Sequence, residues 1–149
     1  MKKVLFSVIF TLAILVGLLT VFSTSVSAAP GPAGAVYTMT NAASGNAVVM
    51  YNRWSNGTLT MVGSFPTGGK GFDSAGPPDP LGSQNSLMLT QDGKWLLAVN
   101  AGSNTITVFR VKPDGLEPVD WVSSCGILPV SLTISGNEVF VLNDGILLI

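Results

Sequence analysis

Asp92-Gly93-Lys94-Trp95-Leu96-Leu97-Ala98-Val99-Asn100-Ala101-Gly102-Ser103-Asn104-Thr105-Ile106-Thr107-Val108-Phe109 is the stretch that decides the fold. It contains a turn dipeptide, an apolar run ending in asparagine, a short polar loop and a second, β-branched run. Asp-Gly ahead of such a run marks a hairpin, because glycine takes positive φ without steric cost. Trp95 to Asn100 and Thr105 to Arg110 are short, aromatic and β-branched, and Ala101-Gly102-Ser103-Asn104 separates them. Two antiparallel strands are predicted.

The same order recurs on both sides. Before the quoted stretch, Val36-Tyr37-Thr38-Met39-Thr40 and Ala47-Val48-Val49-Met50-Tyr51 flank a loop from Asn41 to Asn46. Asn56-Gly57 then predicts a tight turn into Thr58-Leu59-Thr60-Met61-Val62. After the stretch, Asp114-Gly115 predicts a turn into a strand from Leu116 to Val122. Asn46 to Asn104 and Gly57 to Gly115 are both separated by 58 residues, so two copies hold register. A third copy starts at Pro129: Ser131-Leu132-Thr133-Ile134-Ser135 echoes Ser86-Leu87-Met88-Leu89-Thr90, and Val139 to Asn143 echoes Leu96 to Asn100. Asn100 and Asn143 are 43 residues apart, the length of one four-stranded propeller blade. No useful length of chain has the 3.6-residue spacing of an amphipathic helix.

The predicted fold is all-β: about two and a half antiparallel four-stranded blades of a β-propeller, over residues 29–149. Blade 1 is placed at about 35–65, blade 2 at about 85–124 and a partial blade 3 at about 128–145. Between the first two, residues 66–84 form an insertion rich in Gly, Pro and Asp, read as a flexible loop joining neighbouring blades. Gly63 just before it, with its Gly68, Gly69, Lys70 and Gly71, is reminiscent of a phosphate-binding loop. The spacing fails, since no Ser or Thr follows Lys70 and no helix follows the glycines. Blade 1 has no counterpart of the inner strand Leu87 to Thr90, because Pro30 to Gly34 is too short and too rich in Pro and Gly. Circular propellers commonly close with a C-terminal strand that fills such a gap. The third copy reaches only its second strand before Gly145-Ile146-Leu147-Leu148-Ile149, so the chain is expected to be an N-terminal fragment.

The first residues have a different character. Met1-Lys2-Lys3, an uncharged apolar run to about Phe22, and small residues up to Ala28 follow the layout of a secretory signal peptide. A signal helix within residues 1–28, cleaved after Ala28, is expected, and an uncleaved anchor is the alternative, since the run nearly spans a bilayer. Either way the remainder is expected outside the cytoplasm. Without the leader, Arg53, Lys70, Lys94, Arg110 and Lys112 stand against eight carboxylates, a net charge of 5 − 8 = −3. That balance gives no reason to expect nucleic acid or an anionic membrane as partner.

The single cysteine, Cys125, rules out an intrachain disulfide and is read as a small buried apolar residue. The chain has no histidine, which excludes a Ser-His-Asp triad, a Cys-His pair and histidine-ligated zinc. The loop carboxylates Asp73, Asp79 and Asp92 are the candidates for a base, yet each sits in an ordinary turn or rigid-loop context. Asn56-Gly57-Thr58 is a glycosylation sequon that a hairpin turn also explains.

The stretch from Asp92 to Phe109, with Leu81-Gly82-Ser83-Gln84, Gly126, Leu128-Pro129-Val130-Ser131 and Val141-Leu142-Asn143, resembles the seven-bladed β-propeller lactonases. These relatives of 6-phosphogluconolactonase, often labelled carboxymuconate-cyclase-like, carry a YVTN-like repeat. The resemblance covers about Ala35 to Gly145. It implies hydrolysis of a lactone by the parent protein, a small lactone or sugar-derived ligand, and no cofactor or metal. Members are more than twice this mature length, and the residues thought to act on substrate, histidine and arginine among them, lie largely in blades this sequence lacks. No catalytic residue is carried across, and this chain alone is expected to be inactive. Cys125 stands where the family pattern has glycine, and Ile146 to Ile149 does not continue that pattern. The alternative reading is a non-catalytic exported propeller that binds a ligand or partner. In either case open blade edges and apolar faces predict self-association.

Overall fold

The computed structural model describes residues 31–72 and 84–145, and every regular element among them is a strand. The expected leader and signal helix, Asp73 and Asp79, and residues 146–149 lie outside the described residues. The strands are β1 (Gly34–Met39), β2 (Ala47–Arg53), β3 (Leu59–Pro66), β4 (Leu87–Leu89), β5 (Trp95–Asn100), β6 (Thr105–Lys112), β7 (Gly115–Ser123), β8 (Pro129–Ser135) and β9 (Glu138–Asn143). They form three antiparallel meanders: β1-β2-β3, β4-β5-β6-β7 and β8-β9. The all-β, antiparallel reading holds, and the first sheet has no partner for β1 on its free side among the described residues.

The repeat extends to the irregularities. β2 shifts register against β3 between Met50 and Tyr51, and β6 shifts against β7 between Val108 and Phe109, 58 residues later. The bulged-out residues are Val62 and Val119, which face no partner in either ladder. A bulge adds twist to a sheet. Pro118, next to the second bulge and on an outermost strand, deprives no inner ladder of a donor.

The middle sheet explains its own sequence. Leu96, Ala98, Phe109 and Leu116 pack with Val48 toward the first sheet, joined by Tyr37, Met39 and Phe65. Leu97, Val99 and Ile106 pack with Leu132 toward the third, joined by Ile134 and Val141. Because both faces are covered, β5 reads as an unbroken apolar run rather than an alternating one. Full burial of side chains such as Leu96, Ile106 and Phe109 contributes about 1.5–3 kcal/mol each.

Two turns differ from the sequence expectation. Lys112 pairs with Gly115, so the β6–β7 hairpin turns on Pro113-Asp114 and Gly115 is the first residue of β7. Gly115 is required for a different reason: a Cβ there would lie 2.8 Å from the Phe65 ring of the first sheet. At the β2–β3 turn only Gly57 has positive φ, at 85°. Asn56 instead accepts through Oδ1 from the Thr58 amide (3.0 Å) and hydroxyl (2.8 Å). That is an Asx turn, in which the side chain substitutes for a backbone acceptor.

Two further expectations are overturned. Cys125 is exposed, not buried, and holds φ 58°. The glycine of the family pattern would occupy that left-handed conformation without strain, and the cysteine cannot. The segment from residue 66 is not loose at its start. Pro66 closes β3, and Thr67 to Phe72 are hydrogen-bonded to loops of the first two sheets.

Candidate functional site

The buried polar side chains gather at one end of the sheets, where β1 meets β2 and β5 meets β6. They are Asn46, Thr67, Asn100, Thr107 and Ser124. β1 ends and β2 begins around Asn46, so its side chain lies against the tip of β5. Its Oδ1 accepts from the amides of Asn41 (3.0 Å) and Ala47 (2.9 Å). Its Nδ2 crosses to the middle sheet and donates to Val99 O (3.0 Å) and Asn100 Oδ1 (3.1 Å). Asn100 in turn donates to the hydroxyls of Thr107 (2.8 Å) and Thr105 (3.2 Å). The Thr107 hydroxyl donates a hydrogen bond to Thr67 O at 2.8 Å, and the Trp121 indole N–H donates to the same carbonyl.

Backbone closes the rest of this seam. Thr67 N donates to Asn46 O, Gly71 N to Ala42 O, and Gly102 N to Lys70 O. Asn41 binds Phe72 in both directions, each contact at 3.1 Å. These approaches leave no room for side chains. A Cβ on Gly69 would lie 2.4 Å from Asn100 Cγ, and one on Gly102 would lie 2.1 Å from Gly71 O. The glycines that suggested a phosphate loop therefore make room for neighbours instead: Gly68 for the Trp121 indole, Gly69 for the Asn100 side chain and Gly71 for the Asn41 backbone. Lys70 donates its amide to Ser103 Oγ at 3.0 Å rather than to a ligand.

A second seam repeats the first. Ser124 N donates to Asn104 O as Thr67 N does to Asn46 O, and Gly145 N donates to Ile127 O as Gly102 N does to Lys70 O. A Cβ on Gly126 would lie 2.4 Å from Asn143 Cγ, matching the Gly69 contact with Asn100. The side-chain bonds differ: Asn104 Oδ1 is taken by the amide of Leu128 (2.8 Å), Asn143 Nδ2 donates to Ser124 O (3.2 Å), and Asn143 Oδ1 has no partner among the described residues. Sequence reading singled out the asparagines as repeat markers but missed this joint. The signal was available in Thr67-Gly68-Gly69 and Ser124-Cys125-Gly126, which are 57 residues apart, one fewer than the 58 between the first two copies.

At the opposite end, a groove of about 790 Å³ opens between the second and third sheets. Its floor is Met88, Trp95, Leu97, Ile134 and Val139, and its rim is Thr90, Gln91, Asp92 and Asn137. Asp92 is the candidate carboxylate that falls among the described residues. Its Oδ1 accepts from the Thr90 hydroxyl (2.6 Å) and the Lys94 amide (3.1 Å), and Oδ2 lies 3.4 Å from Lys94 Nζ. The Thr90 hydrogen bond first, then those from Lys94, hold its carboxyl below the usual carboxylate range. A general base works best with a pKa near the operating pH, so these contacts make Asp92 a turn residue and a weak base. On the outer strands, Glu117 pairs with Lys112 (2.9 Å) and Arg110 (3.7 Å), while Arg110 lies over the Trp95 ring at 5.4 Å. The ion pair with Lys112 lowers the Glu117 carboxyl as well.

The first seam thus consists of neutral amides and hydroxyls that satisfy one another, while Asn143 Oδ1 of the second lacks a partner among the described residues. It joins sheets and offers no nucleophile or base. The groove has an apolar floor and one carboxylate held in its own turn. Among the described residues nothing assembles a base opposite an oxyanion-stabilising group.

The family comparison agrees with this architecture. No curated protein and no solved structure matches the chain. The family model described as lactonase, seven-bladed β-propeller, matches residues 30–144, which includes all three sheets and both seams. The chain belongs to the seven-bladed β-propeller lactonase family.

Proposed function

We propose that this chain contributes scaffold blades to an exported propeller that hydrolyses a lactone ring, and that it is inactive alone. The observation that carries the reading is the family match across 30–144, together with the stacked antiparallel sheets joined by a repeated seam. Nine described strands amount to fewer than three four-stranded blades, and the family's propeller has seven. Lactone opening needs a base to activate water and a donor for the developing oxyanion. In this reading both come from blades beyond the described residues, and the parent's ligand is a small lactone or sugar-derived molecule. Export, with the leader at residues 1–28, is part of the same proposal and rests on the leader's sequence alone.

The groove with its apolar floor and its tied carboxylate favours a second reading, a binding propeller without chemistry. A pH-stat assay over γ- and δ-lactones separates the two. The 149-residue chain should leave the uncatalysed rate unchanged, while a full seven-bladed version of the propeller should hydrolyse at least one lactone with saturation. Saturable hydrolysis by the 149-residue chain would overturn the scaffold role. A full propeller that binds but never hydrolyses would replace the lactonase reading with the binding one.

A further inference from the structure

Asn56 is the one asparagine of the sequence that precedes a glycine. It stands at the tip of the β2–β3 hairpin, where Asn56, Gly57 and Thr58 are all exposed. Trp54 N donates to Thr58 O and Gly57 N to Trp54 O, both at 2.9 Å, so the tip is a closed turn. Asn56 Oδ1 accepts from the Thr58 amide (3.0 Å) and hydroxyl (2.8 Å), and Nδ2 has no acceptor among the described residues. A Cβ on Gly57 would meet nothing within 4 Å, so no neighbour crowds the tip.

A backbone nitrogen, a side-chain carbonyl one residue before it and two donors on that carbonyl oxygen are the parts of an intramolecular acyl transfer. We propose that Asn56 is a self-modifying site, at which the Gly57 nitrogen displaces the Asn56 side-chain amide while Thr58 stabilises the charge developing on Oδ1. Hydroxide takes the Gly57 amide proton, the nitrogen bonds to Asn56 Cγ, and the carbonyl electron pair moves onto Oδ1. The Cγ–Nδ2 bond then breaks, and Nδ2 takes a proton from water and leaves as ammonia. Water opens the resulting cyclic imide at either carbonyl, to aspartate or isoaspartate.

Two effects oppose each other. The Gly57 N–H must first leave Trp54 O, and the loss of one such hydrogen bond slows the step roughly fivefold. Against this, both donors on Oδ1 strengthen as that oxygen becomes an anion, since charge-assisted bonds are about twice as strong as neutral ones. Each donor then returns roughly fivefold, and with two of them the turn favours the reaction. A similar turn in the second sheet already holds an aspartate. Gly93 N donates to Thr90 O, and Asp92 Oδ1 accepts from the Thr90 hydroxyl and the Lys94 amide. Aspartate at position 56 therefore keeps its bonds from Thr58. Isoaspartate adds a carbon to the main chain between β2 and β3 and disrupts the Trp54–Thr58 closure. Asp92 is not a second such site, because an ionised carboxylate repels a nucleophile.

The test holds the folded 149-residue chain in neutral and in alkaline buffer and follows ammonia release and isoaspartate by peptide mass mapping. Both products should rise with hydroxide and map to Asn56 ahead of every other asparagine. Thr58→Val, at an exposed position, removes one donor and should slow the reaction roughly fivefold, and Thr58→Ser should restore it. In guanidinium chloride the turn is lost, and all three forms should react at one rate. That arm separates the folded turn from the local sequence. The inference is independent of the lactonase reading, since no lactone is involved. It is overturned by an Asn56 that stays intact in the folded chain while the unfolded chain reacts, by a Thr58→Val chain as fast as the unmodified one, or by a difference that persists in denaturant.

Discussion

Replacing Asn100 by alanine tests the reasoning behind the seam most directly. The fully buried amide makes three side-chain hydrogen bonds, from Asn46 Nδ2 (3.1 Å) and to Thr107 (2.8 Å) and Thr105 (3.2 Å). A net hydrogen bond contributes about 0.5–1.5 kcal/mol. The Thr105 bond counts least, because that residue is only half-buried and water can replace the amide. Asn46 keeps Val99 O as acceptor, and Thr107 keeps Thr67 O. The expected loss is therefore about 2–3 kcal/mol, or roughly 1–2 M in urea midpoint for an ordinary m-value. Urea titrations followed by tryptophan fluorescence at several protein concentrations separate association from the unfolding transition. The sharper measurement is the double-mutant cycle with Asn46→Ala. Direct amide-to-amide bonding predicts a coupling of about 1 kcal/mol. Additivity within about 0.3 kcal/mol would show that the two asparagines act separately and would refute the seam as a cross-sheet bond.

The other predictions follow the same logic. Gly69→Ala should cost about 1–3 kcal/mol by overpacking against Asn100, while Gly45→Ala, where a Cβ would meet nothing within 4 Å, should be near neutral in the same urea titration. Cys125 should react with a thiol reagent in the native chain, and Cys125→Gly should raise the urea midpoint, by about 0.5–1 kcal/mol, where Cys125→Ala should not. The carboxyls of Asp92 and Glu117 are held below their ordinary values of 3.8 and 4.5, so they favour folding above those values. That contribution should fade as pH falls through about 4 and below, and Asp92→Asn with Glu117→Gln should flatten this acid limb of midpoint against pH.

The strands were legible because their signals are local. Leu96 to Val99 and Thr105 to Phe109 declare themselves as strands by composition, and the spacing of Asn46, Asn100, Asn104 and Asn143 declares the repeat. The first sheet's lack of an inner strand among the described residues could also be read, since Pro and Gly fill Pro30 to Gly34. What could not be read was the purpose of individual glycines. Gly115 looks like a turn residue in sequence, and only the approach of Phe65 from another sheet shows otherwise. Gly69 and Gly71 resemble a flexible or phosphate-binding loop until their partners, the Asn100 side chain and the Asn41 backbone, are known. The Cys125 expectation failed for a related reason: small size suggests burial, but the conformation of its turn decided its exposure. Asp92 was legible as a turn residue, and the structure adds what the sequence could not show, that Thr90 and Lys94 tie its carboxylate.

The paired contacts of Gly69 with Asn100 and of Gly126 with Asn143 act at one end of the stack alone. At the other end the second and third sheets stand apart far enough to leave the groove beside Asp92. A side chain in place of the Gly69 hydrogen would hold the first two sheets apart at the asparagine end, since its Cβ would lie 2.4 Å from Asn100 Cγ. In a ring of blades such a displacement is carried into every blade that follows, so a change of one methyl group would be felt most where the ring has to shut.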